Sequence, residues 1–217
     1  MAQGHHRARF ITLEGGEGGG KSTQSRRLAA WLGTAVGEVV LTREPGGSPG
    51  AEQIRSLLVD GDVRRWDALS EALLHFAARR DHLVATILPA LARGAWVLSD
   101  RFADSTMAYQ GYGHGVDRSV LAELYRICVG ALKPDLTLIL DLPVEEGLAR
   151  AVGRAAGEDR YERMDRDFHE RLRQGFLEIA RKEPERCAVI DAAPDEDAVH
   201  AAIIAAVGER LAISAAP

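Results

Sequence analysis

Residues 9–22 read RFITLEGGEGGGKS and decide the fold of this chain. The run Arg9–Glu14 is mostly apolar and predicts a buried strand, and the residues from Lys21 onward predict a helix. Between them, Gly15–Ser22 matches G-x-x-x-x-G-K-[ST], and a preceding strand with a following helix is the context that this motif requires. Glycines let backbone N–H groups converge on phosphate oxygens, and the helix N-terminus adds unpaired donors and a favourable dipole. The stretch therefore predicts a loop that binds a nucleoside triphosphate.

The side chains of this loop have separate expected tasks. Lys21 is expected to reach the β- and γ-phosphates, and the Ser22 hydroxyl can ligate Mg²⁺. A glycine-rich turn that only happens to precede Lys-Ser is the structural alternative, but the flanking strand and helix favour phosphate binding. The residues predicted to bind ATP are Gly15, Gly16, Glu17, Gly18, Gly19, Gly20, Lys21, Ser22 and Thr23.

Short apolar runs alternate with longer helical patterns along the rest of the chain. The further strands are predicted at Glu38–Thr42, Ala95–Ser99, Leu136–Asp141 and Ala188–Asp191. The further helices are predicted at Ala51–Val59, Asp67–Arg93, Asp117–Gly130, Val144–Val152, Asp165–Lys182 and Asp195–Leu211. Apolar strands spaced by helices indicate an α/β fold with a doubly wound, parallel, five-stranded sheet flanked by helices. We expect one domain over 1–217, with disordered tails at 1–8 and 212–217.

Composition excludes several classes of protein. The chain has 27 Lys and Arg against 32 Asp and Glu, a net charge of −5, which argues against a nucleic-acid or membrane coat. No apolar run approaches the roughly 20 residues of a membrane helix. Two cysteines, Cys128 and Cys187, form neither a metal spacing nor a disulfide framework, so a cytoplasmic protein is expected. The sequence contains no asparagine, and hence no Asn-Lys-x-Asp guanine-reading element, so a small-molecule kinase is favoured over a nucleotide switch.

A second candidate site lies at the end of the third predicted strand. Ligands of such folds bind outside the carboxyl ends of the strands, and Asp100-Arg101 follows one of them. Asp100 is placed to act on Mg²⁺ or its waters, and Arg101 can clamp a second phosphate. A surface salt bridge between such neighbours is the structural alternative.

Six segments, in order along almost the whole chain, resemble the thymidylate kinase family. They are FITLEGGEGGGKST, TREPGGSPGAEQIRSLL, LLHFAARRDHLVATILPAL, SDRFADSTMAYQGYGHGVD, KPDLTLILDLPVEEGLAR and DRYERMDRDFHERL. The resemblance implies a P-loop nucleoside monophosphate kinase with a short lid, which phosphorylates dTMP to dTDP with ATP and Mg²⁺. It also implies a homodimer through the helices near Asp67–Arg93 and Asp117–Gly130. A kinase for another nucleoside monophosphate, or a nucleotide-binding switch without acceptor phosphorylation, remains as the alternative.

The resemblance also implies how the acceptor is bound. Phe76 and Arg80, four apart on one helix face, would stack on thymine and bond its carbonyl edge, although a core Phe beside a snorkelling Arg is the structural alternative. Arg55 and Arg101 would lie near the acceptor phosphate, and Glu17 near the 3′ position of the sugar. The full set implied for the acceptor is Glu17, Glu44, Arg55, Phe76, Arg80, Arg101, Ser105, Thr106, Tyr109 and Gln110.

The arginine-rich stretch 150–163 resembles the lid of the family. Because the phosphate-binding loop contains no arginine, the chain resembles the bacterial type that carries its catalytic arginine in the lid. Arginines there stabilise charge on the transferred group, and a closed lid excludes water. A solvated surface loop is the structural alternative. The residues predicted to be catalytic are Lys21, Arg101, Arg150, Arg154 and Arg160, and those predicted to hold the metal, directly or through water, are Ser22 and Asp100.

Overall fold

The computed structural model describes residues 7–151 and 160–213, and its framework is one parallel sheet. The strands are β1 (Phe10–Glu14), β2 (Val39–Arg43), β3 (Trp96–Asp100), β4 (Leu136–Asp141) and β5 (Cys187–Asp191). They pair in the order β2-β3-β1-β4-β5, with every pairing parallel. The order reverses beside β1, so the crevice at the carboxyl end of β1 is the place where such folds bind ligands. The predicted doubly wound five-stranded sheet is confirmed.

The three central strands are buried almost throughout, and the two edge strands are only partly covered. Strands β1, β3 and β4 are covered on both faces by helices, which explains why they read as nearly continuous apolar runs. The parallel register places Leu13 opposite Asp100 and Glu14 opposite Ile139. The carboxyl ends of β1 and β3 therefore meet at one edge of the sheet.

Helices connect successive strands, and their bounds differ from the predicted ones by a few residues. They are α1 (Lys21–Val36), α2 (Pro49–Val59), α3 (Ala68–His82), α4 (Leu88–Ala92), α5 (Ala103–Thr106), α6 (Arg118–Cys128), α7 (Val144–Ala151), α8 (Arg166–Lys182) and α9 (Glu196–Leu211). Aspartates cap several of them: Asp67, for instance, accepts hydrogen bonds of 3.0 Å from the Leu69 and Ser70 amides. No helix among the described residues has the length and apolarity that crossing a membrane requires.

Two π-helical turns occur that the sequence did not predict. The predicted helix Asp67–Arg93 is divided into α3 and α4 by a π-helical turn over Leu83–Ile87. Pro89 lies just beyond this turn; a proline in a regular helix lacks the N–H and crowds the carbonyl four residues earlier, and a widened turn relieves both problems. A second π-helical turn, Met107–Gly113, extends α5 where only a binding loop was expected.

The C-terminal tail prediction is wrong at Ile213. Its amide donates a 3.2 Å hydrogen bond to the Gly208 carbonyl, and its side chain is buried against α9 and the sheet. The expected tails at 1–6 and 214–217, and lid residues 152–159, lie outside the described residues.

Candidate active site

The phosphate-binding loop runs from the end of β1 to the start of α1. Gly15, Gly18 and Gly20 have φ angles of 130°, 73° and 80°, which favour glycine. A Cβ on Gly18 would also overlap the carbonyl oxygen of Gly147. The loop therefore needs glycine both for its backbone angles and for its close approach to α7.

Lys21, the first residue of α1, is 7% exposed and donates a 2.6 Å hydrogen bond from Nζ to the Gly16 carbonyl. Burial and the nearby charge of Arg101 lower its pKa to about 8, against the opposing effect of Glu17. Next to it, Ser22 Oγ donates to Asp100 Oδ2 at 2.7 Å. The Lys21 ammonium therefore lies close to two oxygen atoms that could ligate a metal ion, Ser22 Oγ and Asp100 Oδ2, at the N-terminus of α1.

Arg101 lies at the centre of this region, in a left-handed backbone conformation with φ 71°. It donates from Nη1 to the Gly15 carbonyl at 3.0 Å and to Ser105 Oγ at 3.2 Å. Its Nη2 donates to Glu17 Oε1 at 3.1 Å, and its guanidinium lies 5.0 Å from the Tyr109 ring centroid. A backbone angle that is uncommon for arginine aims this cation at the loop.

Glu17 is a carboxylate inside a loop built to bind anions. Burial alone would raise its pKa, but the charges of Arg101 and Lys21, with a 2.5 Å hydrogen bond donated by the Tyr109 hydroxyl, lower it to about 2. Glu17 is therefore ionised at neutral pH and offers an acceptor toward the cavity beside it.

A cavity of about 280 Å³ opens beside the loop and collects most of the predicted site. The predicted residues that line it are Glu17, Lys21, Ser22, Glu44, Arg55, Asp100, Arg101, Ser105, Thr106, Tyr109 and Gln110. We call Gly15–Ser22 with Asp100 and Arg101 the loop end of the cavity. We call the part of the lining formed by His75, Arg79 and Gln110 the helix end.

Phe76 and Arg80 do not line the cavity, which corrects their predicted place. Phe76 is 3% exposed and packs in a core cluster with Leu121, whereas Arg80 is exposed and donates to the Cys128 carbonyl at 3.2 Å. One residue earlier in each case, His75 and Arg79 line the cavity with the same spacing of four. The structure therefore brings His75 and Arg79 of α3 to the cavity in place of the predicted pair.

Arg79 is 2% exposed and held on three sides. Its Nε donates to Glu44 Oε2 at 2.7 Å, and its Nη2 donates to Thr106 Oγ1 at 3.0 Å and to the Phe102 carbonyl. The guanidinium also lies 4.9 Å from the Phe76 ring centroid. Its remaining nitrogen, Nη1, is buried and has no hydrogen-bond partner among the described residues.

Gln110 presents the complementary orphan atom. Its Nε2 donates to Glu71 Oε1 at 2.7 Å, and its Oε1 is buried with no partner in the part of the chain that the structure describes. Buried polar atoms nearly always find partners. An orphan donor and an orphan acceptor on residues lining one cavity are therefore groups that a ligand can satisfy.

His75, the third member of the helix end, is held by an aromatic neighbour. The Tyr161 hydroxyl and His75 Nε2 are 2.9 Å apart, and Tyr161 packs edge-on against Tyr109 with centroids 5.2 Å apart. Burial, together with the charges of Arg79 and Arg160, lowers the pKa of His75 to about 3. The ring is therefore neutral at physiological pH.

The three predicted lid arginines have different outcomes. Arg150 lies in the last turn of α7 and donates to the carbonyls of Ala192 and Ala193 at 2.8 and 2.7 Å. Arg154 lies outside the described residues. Arg160 is 1% exposed and does not line the cavity, so its predicted catalytic place is corrected to a buried ion pair with Glu71.

Sequence reasoning missed the functional candidates that depend on helix phase. His75, Arg79, Tyr161 and Glu71 are absent from the predicted set. A usable signal was present along α3, the π-helical turn and the start of α4, where Leu69, Leu73, Val84 and Leu88 are exposed at helical spacing. Arg80 falls at helical spacing within that row, so it belongs to a different face from the cavity.

The chain is similar to known proteins of one family. A family model described as thymidylate kinase matches residues 13–203. The thymidylate kinase of Caulobacter vibrioides is 58% identical over 204 residues, covering 94% of this chain and 98% of that protein. That of a Jannaschia species is 51% identical over 203 residues, covering 94% and 97%. A crystal structure of thymidylate kinase from Ehrlichia chaffeensis is 38% identical, with a TM-score of 0.76 over 92% of this chain and 98% of that one.

Proposed function

The chain belongs to the thymidylate kinase family, and from that premise we propose how its cavity binds the two substrates. The reaction transfers the γ-phosphoryl group of ATP to dTMP and yields dTDP and ADP. An oxygen of the acceptor phosphate attacks the γ-phosphorus, and the bond from that phosphorus to the β–γ bridging oxygen breaks. The acceptor phosphate is already anionic near neutral pH, since its second pKa is about 6, so no strong general base is required.

ATP binds at the loop end. Its β- and γ-phosphates take the loop N–H groups and the Lys21 ammonium, which is buried and close to the start of α1. The hydrogen bond from Lys21 to the Gly16 carbonyl holds that ammonium in the loop until phosphate replaces the carbonyl. The lysine then stabilises the charge that develops on the bridging oxygen.

The acceptor phosphate binds between Arg101 and Arg55. Arg101 is supported by the Gly15 carbonyl and by Ser105, and Arg55 donates to the Pro45 carbonyl at 2.7 Å while lining the same cavity. A guanidinium held by its other nitrogens offers a fixed fork to phosphate oxygens. Glu17, ionised between Arg101 and Tyr109, accepts from the 3′-hydroxyl of the sugar.

The observation that carries the choice of dTMP is the pair of orphan atoms at the helix end. Thymine offers an acceptor, O4, beside a donor, N3–H, and these match the Arg79 Nη1 donor and the Gln110 Oε1 acceptor. Cytosine offers a donor, N4–H₂, beside an acceptor, N3, which opposes both atoms. The neutral ring of His75 then lies against the base, a task that the sequence analysis gave to Phe76.

A magnesium ion fits the donors at the loop end. Mg²⁺ prefers oxygen ligands and takes one or two from protein while phosphates and waters supply the rest. The Ser22 hydroxyl and the Asp100 carboxylate, 2.7 Å apart, are such donors, and either contacts the ion directly or through water. When bound, the ion neutralises charge on the β- and γ-phosphates. Arg150 and Arg154 remain the proposed lid cations.

We further propose that the protein is a homodimer in the cytoplasm. The exposed row Leu69, Leu73, Val84 and Leu88 runs along α3 and α4, and the neighbouring α6 exposes Ile127 by 61%. Contiguous apolar faces of this kind mark association surfaces. Both cysteines are free, as in proteins of reducing compartments. Sedimentation velocity checks the assembly: a species of twice the chain mass supports it, and a monomer contradicts it.

A monophosphate panel in a coupled ADP-release assay tests the base assignment. We expect the highest kcat/KM with dTMP, and a value lower by on the order of 10²-fold with dCMP, because the inverted base edge leaves both buried atoms unpaired. Equal or better turnover of dCMP would overturn the assignment. ADP release that does not depend on any acceptor would favour the switch alternative instead.

A further inference from the structure

Glu71 is a buried acidic residue that has no part in the substrate contacts proposed above. It is 1% exposed, lies on α3 and is absent from the lining of the cavity. Its Oε1 accepts the 2.7 Å hydrogen bond from Gln110 Nε2, and His114 Nε2 lies 3.7 Å from the same oxygen. Burying an unpaired carboxylate costs several kcal/mol of folding free energy, so this side chain requires partners in the interior.

Arg160 is the cationic partner of this carboxylate. Its guanidinium forms an ion pair with Glu71 Oε2. It also donates to three backbone carbonyls, one in α2 and two in the loop that follows it: Leu58 at 3.0 Å, Asp62 at 3.0 Å and Val63 at 3.1 Å. The arginine is thereby fixed by main-chain atoms, and it fixes the position of Glu71 in turn.

We propose that Glu71, held by Arg160, is a positioning residue that fixes the orientation of the Gln110 amide and so makes the site select thymine over cytosine. A carboxylate that is paired with a guanidinium offers only acceptor oxygens to its other neighbours, so the amide turns its NH₂ group toward Glu71. Oε1 must then face away from Glu71, as the unpartnered acceptor of the cavity. In the flipped orientation, two acceptor oxygens would face each other in a buried site. This inference rests on the base placement proposed above.

The orientation of the amide decides which base edge is satisfied. A glutamine amide alone offers either a donor or an acceptor and would serve thymine or cytosine by flipping. With the NH₂ group bound to Glu71, only the acceptor Oε1 of Gln110 is left for a base, together with the Arg79 Nη1 donor. Selectivity at Gln110 is therefore set by a residue that lies one hydrogen bond farther from the cavity.

The variant Glu71→Gln tests this inference, because its side-chain amide pairs with Gln110 in either orientation. The readout is the ratio of kcat/KM for dTMP to kcat/KM for dCMP, measured on one preparation, so that a loss of folded protein cancels. We expect the ratio to fall at least tenfold, through a higher KM for dTMP and a gain with dCMP, while the KM for ATP is unchanged. Glu71→Asp, which keeps an acceptor-only group, should retain a ratio closer to that of the original protein.

Controls separate this inference from the proposed function. Glu123→Gln, on the exposed face of α6 beside Arg126, should leave the ratio unchanged. If the unaltered protein does not prefer dTMP over dCMP, the base placement itself fails. If it does and Glu71→Gln keeps the ratio within twofold, only the role of Glu71 is overturned.

A second variant covers the case in which Glu71→Gln does not fold because Arg160 has lost its counter-charge. The double substitution Glu71→Gln/Arg160→Met removes both buried charges, a change that proteins often tolerate. It frees the same amide, so it should lower the ratio by the same factor. An unchanged ratio in this variant would also overturn the inference.

Discussion

At the loop end of the cavity, most of the residues that we propose bind substrate are neighbours in sequence. At the helix end, these residues come from elements that are far apart in sequence. Gly15–Ser22 supplies backbone donors and one lysine within eight consecutive positions. The helix end combines His75 and Arg79 of α3 with Gln110 of a π-helical turn. Phosphate recognition needs converging N–H groups and charge, which a short motif encodes. Base recognition needs a donor and an acceptor at fixed places, which depends on how distant helices pack.

The two ends also differ in how their polar groups are satisfied before a ligand binds. Lys21 and Arg101 already have protein partners, in the carbonyls of Gly16 and Gly15 and in Glu17, that a phosphate can replace or supplement. At the helix end, Arg79 Nη1 and Gln110 Oε1 have none among the described residues. The helix end is therefore the part of the cavity where we expect selection among bases, because unpaired buried atoms disfavour a base that cannot pair with them.

The largest expected effect is at the loop end, where Lys21→Ala removes a buried cation from the transferred phosphates. We expect kcat to fall by about 10²–10³-fold, the range seen when one group that stabilises developing charge is deleted. The coupled ADP-release assay measures the change, with Lys182→Ala as the matched control, because that lysine is exposed and forms an ion pair with Glu178 on the preceding turn of α8. Activity within threefold of the original protein after Lys21→Ala would remove the lysine from the mechanism.

The next effect concerns the helix end and the phase of α3. Arg79→Lys keeps a positive charge beside Glu44 but loses the planar guanidinium that we propose donates to the base. Losing a hydrogen bond to a buried charged group costs about 1.5–3 kcal/mol. We therefore expect kcat/KM for dTMP to fall by about 10–100-fold. The adjacent change Arg80→Lys should stay within about twofold, as exposed substitutions usually do. The KM for ATP should not change in either variant.

Steady-state kinetics of this adjacent pair decide between the two phases. A larger loss with Arg80→Lys than with Arg79→Lys would restore the arrangement that the sequence predicted. Thermal unfolding of both variants checks that the Glu44 ion pair survives, since Glu44 also lies 3.0 Å from His82 Nδ1.

How far the sequence could predict the molecule follows the same division. The sheet, its strands and the loop end were predictable because apolar runs and a contiguous motif each specify local structure. Arg79 and Arg80 are adjacent and identical in type, so only the packing of α3 decides which one faces the cavity. Arg160 looked like a lid cation because charge runs carry no sign of burial, and Glu71 gave no signal because its task depends on Gln110, 39 positions away.

The smallest effects expected are those of pH, which should act on one end and not on the other. Lys21 must be protonated to attract phosphate, and its pKa in the free enzyme is about 8. We therefore expect kcat/KM for ATP to fall about tenfold per pH unit above that value, because this parameter reports groups of the free enzyme. Lys21→Arg should remove this alkaline limb, since a guanidinium stays charged.

The titration of Lys21 cannot cause an alkaline fall in activity by unfolding the protein. Between pH 8 and 10.5 the folded protein holds fewer protons at Lys21 than the unfolded chain, whose lysine has the ordinary value of 10.5. The free energy of unfolding therefore rises with pH over this window as far as Lys21 contributes. A fall in activity accompanied by constant or rising stability assigns the limb to the loss of the charge.

At the helix end the corresponding titration is absent from the physiological range, because the pKa of His75 is lowered to about 3 by burial and by Arg79 and Arg160. Thymidine, which lacks the titrating phosphate of dTMP, probes this end alone as a competitive inhibitor. Its inhibition constant should vary by less than twofold between pH 5 and 8. A tenfold change near pH 6.5 would mean that His75 gains a proton at that pH. Its ring would then be more exposed to solvent, and farther from the charge of Arg79, than the structure shows. If the inhibition constant of thymidine does not vary with pH while kcat/KM for ATP falls above pH 8, then a titrating side chain controls binding at the loop end and none does so at the helix end.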